Sequence, residues 1–320
     1  MESSMQRREF LAALGTAAVL SRSGRAAATD DGAGAGPAAA SRPFTLRYAP
    51  HFGMFRELGG KDPVDQLKFA ADQGFTAWED NGMKRRPVEE QSRIADAMQR
   101  TGIELGVISA LQGVWSNVNF AGDDQSLRDE VLAAMTDIVD VARRVDAKSL
   151  TVVPGMADAK LPEGHQFANC IELLRRCCDV VEPHGLVMVL EPLNRKKNHP
   201  GVYLSESAHA YALCRAVNRP SCKILFDVYH QQITEGDLLA NIDRCWPEIA
   251  YLQSGDNPGR HEPGTGEIHY KNVFDHIARK GYRGIVGMEH GNSAKGEAGE
   301  RAVIAAYRAV DPEPSAATTD

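Results

Sequence analysis

From residue 45 onward one pattern recurs eight times: a short apolar run, then a longer amphipathic stretch, then the next run. The runs are "TLRYAP" (45–50), "FTAWED" (75–80), "IELGVIS" (103–109), "SLTVVPG" (149–155), "LVMVLEPL" (186–193), "CKILFDVYH" (222–230), "IAYLQSGD" (249–256) and "GIVGMEHG" (284–291). Between them, "DPVDQLKFAADQG" places Val64, Leu67, Ala70 and Ala71 on a helical period and stops at Gly74, and "DQSLRDEVLAAMTDIVDVARRV" is longer and as periodic. Strict alternation of strand and helix makes the strands parallel and the crossovers right-handed. Eight such units in about 275 residues predict an α/β chain folded as a single (β/α)8 barrel, whose usual size is about 250 residues. The rival is an open doubly wound sheet, but no G-x-G-x-x-G follows a strand-like run.

The first forty residues lie outside this pattern. Arg7 and Arg8 precede Phe10-Leu11 and a weakly apolar run to Leu20, after which the chain turns to Ala, Gly and Pro. The run is too short for a membrane span of about 20 apolar residues, so no stable membrane anchor is expected. Arg-Arg-x-Phe-Leu resembles a twin-arginine signal. It predicts residues 1–40 as a signal and flexible leader, with cleavage after Ala28 or Ala40, the twin-arginine export machinery as a partner, and a periplasmic or otherwise extracytoplasmic protein. The barrel is expected over 41–320.

Charge narrows the function. A net charge of −7 argues against nucleic acid, because neutralising phosphates needs a basic face. A small molecule is the expected partner. The oligomeric state is left open, a homo-oligomer included. Six cysteines, Cys170, Cys177, Cys178, Cys214, Cys222 and Cys245, contain no C-x-x-C pair, which excludes the usual zinc spacing. Their apolar settings predict buried free thiols.

Active sites of such barrels lie at the C-terminal ends of the strands. There the fifth run carries Glu191, the sixth Asp227, the seventh Gln253 with Asp256 just beyond, and the eighth Glu289. Any one acid at a strand end can be a cap or a surface charge, but four adjacent strands aiming oxygens at one mouth are harder to explain so. Carboxylates brought together repel and raise one another's pKa unless a cation sits between them. An all-oxygen set suits a hard divalent ion, Mg²⁺ or Mn²⁺.

The segments "VLEPLN", "LFDVYHQQITEGDL", "LQSGDNPGRHEPGTGEIHY" and "GIVGMEHG" resemble the hydroxypyruvate isomerase branch of the xylose-isomerase-like TIM barrels, a superfamily that also holds ketose 3-epimerases and apurinic endonucleases. The resemblance runs from about residue 45 to 310, and "PGRHEPGTGEI" is its most specific part. It implies that Glu191, Asp227, Gln253 and Glu289 bind one divalent metal, with Gln253 where the epimerases carry histidine. It also implies that Glu191 and Glu289 form the acid/base pair and that His230 approaches a substrate oxygen. Isomerising an α-hydroxy carbonyl through an enediolate needs such a base, a partner to return the proton, and a cation for the oxyanion.

Arg260, in a Gly/Pro loop over the mouth, is expected to grip a substrate carboxylate. His261, Glu262 and Glu267 are expected to brace that loop. Glu79 and His51, at the ends of the first two runs, are weaker candidates for the pocket wall. Lys196 and Lys197 depart from the acid that the epimerases carry nearby, and favour an anionic substrate. The leading expectation is therefore a metal-dependent isomerase of a short hydroxy-oxo acid, of the hydroxypyruvate to 2-hydroxy-3-oxopropanoate type. Alternatives are a 2-oxo-tetronate isomerase, a 3-epimerase of a ketose or oxidised sugar, and a non-catalytic periplasmic sugar-binding barrel. An endonuclease would need more histidine ligands and a basic face.

Overall fold

A computed structural model describes residues 41–314. The expected export signal and leader, residues 1–40, lie outside the described residues.

All eight strand slots are filled. In chain order the strands are β1 (Arg47–Ala49), β2 (Ala77–Trp78), β3 (Glu104–Leu105), β4 (Val107–Ser109), β5 (Ser149–Val152), β6 (Val187–Leu190), β7 (Cys222–Asp227), β8 (Ile249–Ser254) and β9 (Ile285–Met288). Helices α1 (Pro63–Asp72), α2 (Val88–Thr101), α3 (Gln125–Val145), α4 (Glu163–Val181) and α5 (Ser207–Val217) occupy the early crossovers. Two helices, α6 (Val228–Thr234) and α7 (Leu238–Cys245), follow β7; α8 (Tyr270–Arg279) follows β8 and α9 (Gly296–Val310) follows β9.

The strands form a ring. Seven run parallel in the order β1-β9-β8-β7-β6-β5-β4, and β2 pairs with β3. The His51–Glu79 bridge joins the end of β1 to that of β2, and the Asp80 amide donates to the Val107 carbonyl of β4 at 3.4 Å. The third run is thus one barrel position in two pieces, β3 and β4, broken at Gly106. Position 106 must be glycine for a steric reason: a Cβ there would run into the hydroxyl of Tyr251 on β8.

Strand periodicity sorts the side chains into two layers. Ala49, Ala77, Val107, Val189, Leu225, Tyr251 and Ile285 point inward and pack together. Their neighbours Tyr48, Trp78, Ile108, Met188, Ile224, Leu252 and Val286 face the helices in the main core. Two residues beyond an inward apolar residue the next side chain also points inward. Val189 leads to Glu191, Leu225 to Asp227, Tyr251 to Gln253, and Ile285 through Gly287 to Glu289. The period that builds the barrel core therefore also delivers the polar residues to its C-terminal mouth.

Most strands stop earlier than the apolar runs. The sixth run ends as a strand at Asp227, and Val228, Tyr229 and His230 already belong to α6. Asp227 is the reason, since its side chain accepts from the Tyr229 amide at 2.8 Å and caps that helix. All six cysteines are buried and unpaired. Among the described residues no helix is long and apolar enough to cross a membrane.

Candidate active site

A cavity of about 310 Å³ opens at the C-terminal mouth, and Glu191, His230, Arg260 and Glu289 line one side of it. Glu191, Asp227, His230 and Glu289 each bring one ligand-type atom to within 4.8 Å of the others. Glu191, Asp227 and His230 are buried, while the Glu289 side chain is 32 % exposed towards the opening. Burial, reinforced by the charges of Glu289 and Asp227, holds the Glu191 carboxyl well above the usual carboxylate range. Burial likewise pushes Glu289 up to about 7, against the pull of Arg260.

The tautomer of His230 assigns its role. The Asn194 backbone amide donates to Nδ1 at 3.1 Å; an amide can only donate, so Nδ1 carries a lone pair and the proton sits on Nε2. Burial lowers the pKa to about 4, so the ring is neutral. The Nε2–H lies 3.6 Å from Asp227 Oδ2 and 3.9 Å from Glu191 Oε1 and has no protein acceptor. A protonated ring nitrogen cannot ligate a metal. His230 is therefore a hydrogen-bond donor aimed at whatever occupies the cluster.

Gln253 supplies an oxygen in its place. It is fully buried on β8, in register with Asp227 on one side and Gly287 on the other. Its Nε2 donates to Glu79 at 2.8 Å, leaving Oε1 without a partner. An orphaned buried oxygen beside three clustered carboxylates is a donor set that fits a divalent cation, and the residues able to hold it are Glu191, Asp227, Glu289 and Gln253.

Arg260 is placed differently from the expectation. Its Nη2 lies 3.1 Å from Asp227 Oδ2 and pairs with Glu289, its Nε donates to the Glu289 carbonyl at 2.9 Å, and its guanidinium covers the Tyr229 ring at 4.8 Å. It neutralises the cluster from the rim, and its donors are largely engaged there. The loop bracing matches the sequence reading in two residues. Glu262 accepts from the Ser293 amide at 3.0 Å, and Glu267 accepts from Asn257 Nδ2 at 2.8 Å and Gln232 at 3.2 Å. Asp256 binds four backbone amides of the loop, those of Asn257, Gly264, Gly266 and Ile268.

Four residues from the sequence reading sit outside the pocket wall. Glu79 lies beneath the site, outside the cavity wall, where it accepts from Asn81 Nδ2, Gln253 Nε2 and the Tyr251 hydroxyl at 2.8–3.0 Å; it sets two amides rather than meeting substrate. Gly287 opposite has no side chain because a Cβ there would run into Glu79. His51 lines a separate cleft with His290, and its Nε2 donates to the His290 carbonyl at 3.0 Å. Lys196 and Lys197 are exposed outside the cavity wall, Lys196 donating to the Thr234 carbonyl at 2.8 Å. Meanwhile Asn81, Arg85, Gln112, Trp115, Thr151 and His199 line the pocket without having been expected there. Asn81, Arg85 and Gln112 follow the second and third runs, so the strand-end rule applied to the early half of the barrel would have found them.

Fold and site define a closed parallel α/β barrel enzyme with an acidic mouth able to hold a metal. The family model described as xylose isomerase-like TIM barrel matches residues 67–310, and the chain belongs to that family. It is 33% identical to the hydroxypyruvate isomerase of Escherichia coli (strain K12), over 80% of this chain and 97% of that protein. It is 28% identical to the 2-oxo-tetronate isomerase of Pectobacterium atrosepticum, over 74% of this chain and 89% of that one. Among solved structures, one titled AP endonuclease, family 2, from Brucella melitensis superposes with a TM-score of 0.70 at 26% identity, covering 84% of this chain and all of that one.

Proposed function

We propose that the chain is an isomerase of a short hydroxy-oxo acid, moving a proton between neighbouring carbons of an α-hydroxy carbonyl. The observation that carries this reading is that Glu191 and Glu289, from non-adjacent strands, reach one cavity and both have raised carboxyl pKa values. A group that takes and returns a carbon-bound proton works best with a pKa near the operating pH. For hydroxypyruvate, one glutamate removes a proton from C3 and the other delivers one to C2, while the hydroxyl proton passes from O3 to O2. His230 Nε2–H donates to the oxygen on which negative charge develops. Asp227 and Arg260 hold the two glutamates' surroundings in place. Mg²⁺ or Mn²⁺, held by Glu191, Asp227, Gln253 and Glu289, would supply Lewis-acid stabilisation of the enediolate. The two relatives named as isomerases support the reaction class.

The test is solvent exchange. Chain loaded with Mn²⁺ is incubated in D₂O with hydroxypyruvate, a four-carbon 2-oxo acid sugar and a ketohexose panel, and deuterium is located by NMR. Metal-dependent label at a carbon next to the carbonyl is expected. Folded, loaded protein that labels none of them would leave a binding role or a different reaction.

We further propose that Arg7 and Arg8 direct twin-arginine export, so that the enzyme meets its substrate outside the cytoplasm. Replacing both by lysine should retain the protein in the cytoplasmic fraction; unchanged export would sink the assignment.

A further inference from the structure

The cavity has a second wall that the proposed proton transfer does not use. It comes from the early half of the barrel, opposite in chain order to the acidic cluster: Asn81 and Arg85 beyond β2, Gln112 beyond β4, and Thr151 within β5. Three buried atoms on this wall, Asn81 Oδ1, Gln112 Oε1 and Thr151 Oγ1, have no hydrogen-bond partner. Buried polar atoms are nearly always paired, so three on one cavity wall call for a ligand that pairs with them.

Their chemistry specifies that ligand. Asn81 uses its Nδ2 on Glu79 at 3.0 Å, and Gln112 uses its Nε2 on the Asn81 carbonyl, which can only accept. Both amides therefore keep an acceptor oxygen unpaired, and Thr151, only 6 % exposed, adds an unpaired hydroxyl. Hydroxyl groups of a substrate are the natural donors to such a row. Hydroxypyruvate has one hydroxyl, and that one belongs to the reacting pair. Arg85 supplies the other requirement: it is exposed, it lines the same cavity, and its side chain makes no ion pair among the described residues. Arg260, by contrast, is already paired with Asp227 and Glu289.

We propose that this wall is a recognition subsite for a hydroxylated acid of four or more carbons. Arg85 pairs with the substrate's carboxylate, and Asn81, Gln112 and Thr151 accept from hydroxyls outside the reacting pair. The subsite deepens the isomerase reading and rests on it for the orientation of the substrate. A cavity of about 310 Å³, roughly ten times the volume share of a liquid water molecule of about 30 Å³, has room for such a chain.

Binding separates the two claims, because acids without a carbonyl cannot be isomerised. Affinities of Mn²⁺-loaded chain are measured by calorimetry for glycerate (three carbons), threonate (four carbons) and neutral threitol. Threonate is expected to bind at least about tenfold more tightly than either, since each ionic or hydrogen-bonded contact of this kind is worth about that much. Arg85→Gln should abolish the advantage over threitol, and Arg85→Lys should restore part of it. Thr151→Val should cut the advantage over glycerate while Thr151→Ser keeps it. Glycerate binding as well as threonate, or Arg85→Gln leaving threonate within twofold, would overturn the subsite. The expected binding pattern without any deuterium exchange would instead sink the isomerase reading and leave the subsite standing.

Discussion

At His230 a single proton decides whether the ring nitrogen nearest the carboxylates donates or accepts. The Asn194 amide fixes it on Nε2, and the same logic, applied to Gln253 through Glu79, turns an amide oxygen towards the carboxylates. The sequence singles out both residues, yet not the bonds that orient them, because Asn194 and Glu79 lie in segments that follow other strands. Glu289→Gln keeps the shape of the side chain and removes its capacity to hold a proton. Turnover should fall by on the order of 10²–10⁴-fold, with the melting temperature unchanged or raised, as one member of a repelling cluster becomes neutral. Turnover within tenfold of wild type would remove Glu289 from the acid/base pair.

The same cluster predicts a pH dependence. Glu79 and Glu191 are held well above their ordinary values by burial, and Glu289 at about 7, against roughly 4.3 in an unfolded chain. Folded protein without metal thus binds more protons than unfolded protein between those values. What these groups contribute to stability is present at low pH and is lost as pH rises from about 4.3 through the folded values. A bound cation offsets the repulsion that remains. The rise in melting temperature on adding Mn²⁺ to chelated protein should therefore be larger at pH 8 than at pH 6, read by calorimetry. An equal rise at both would show that the carboxylates do not titrate as a metal-coupled set.

At the level of elements, the loop between β8 and α8 shows how glycines and prolines become a rigid part. Asp256 gathers four amides, and Arg260 sits at φ 57°, its amide donating to the Asp256 carbonyl at 2.8 Å and its carbonyl accepting from the Gly291 amide at 3.1 Å. A non-glycine residue there costs about 1–2 kcal/mol, so the surrounding bonds must impose it. Asp256→Asn replaces one acceptor oxygen by a donor that faces backbone N–H groups. A loss of about 2–4 kcal/mol is expected, with new proteolytic cleavage between residues 257 and 267 and reduced turnover as Arg260 loses its seat. A denaturant midpoint matching wild type would show that the loop is held by something else.

This loop, the strand slots and the late-half acids were legible because each is written locally, as composition, period or strand-end position. The early-half wall was less so. Asn81, Arg85 and Gln112 follow strands of only two or three residues, and the need for glycine at position 106 is set by Tyr251, 145 positions further along the chain. Lys196 and Lys197 misled for the complementary reason: charge in the sequence does not say which way a loop faces.

For the molecule as a whole, six free thiols and the twin-arginine export proposed above belong to one argument. Cys170, Cys177 and Cys178 lie on α4, Cys214 on α5, Cys222 on β7 and Cys245 on α7, all buried. Burial raises the Cys170 and Cys177 thiols well above their ordinary value, which disfavours the thiolate that disulfide exchange requires. An unfolded chain entering an oxidising compartment would expose all six at once. A chain that folds first in the cytoplasm carries them across sealed inside the barrel wall. Protein exported by its own leader should therefore show six reduced cysteines by intact mass, none reacting with Ellman's reagent until denaturant is added. The same residues 41–320 behind a leader for unfolded export should arrive oxidised, aggregated or degraded. Recovery of equally active, fully reduced enzyme by both routes would show that the order of folding and export does not matter to this barrel.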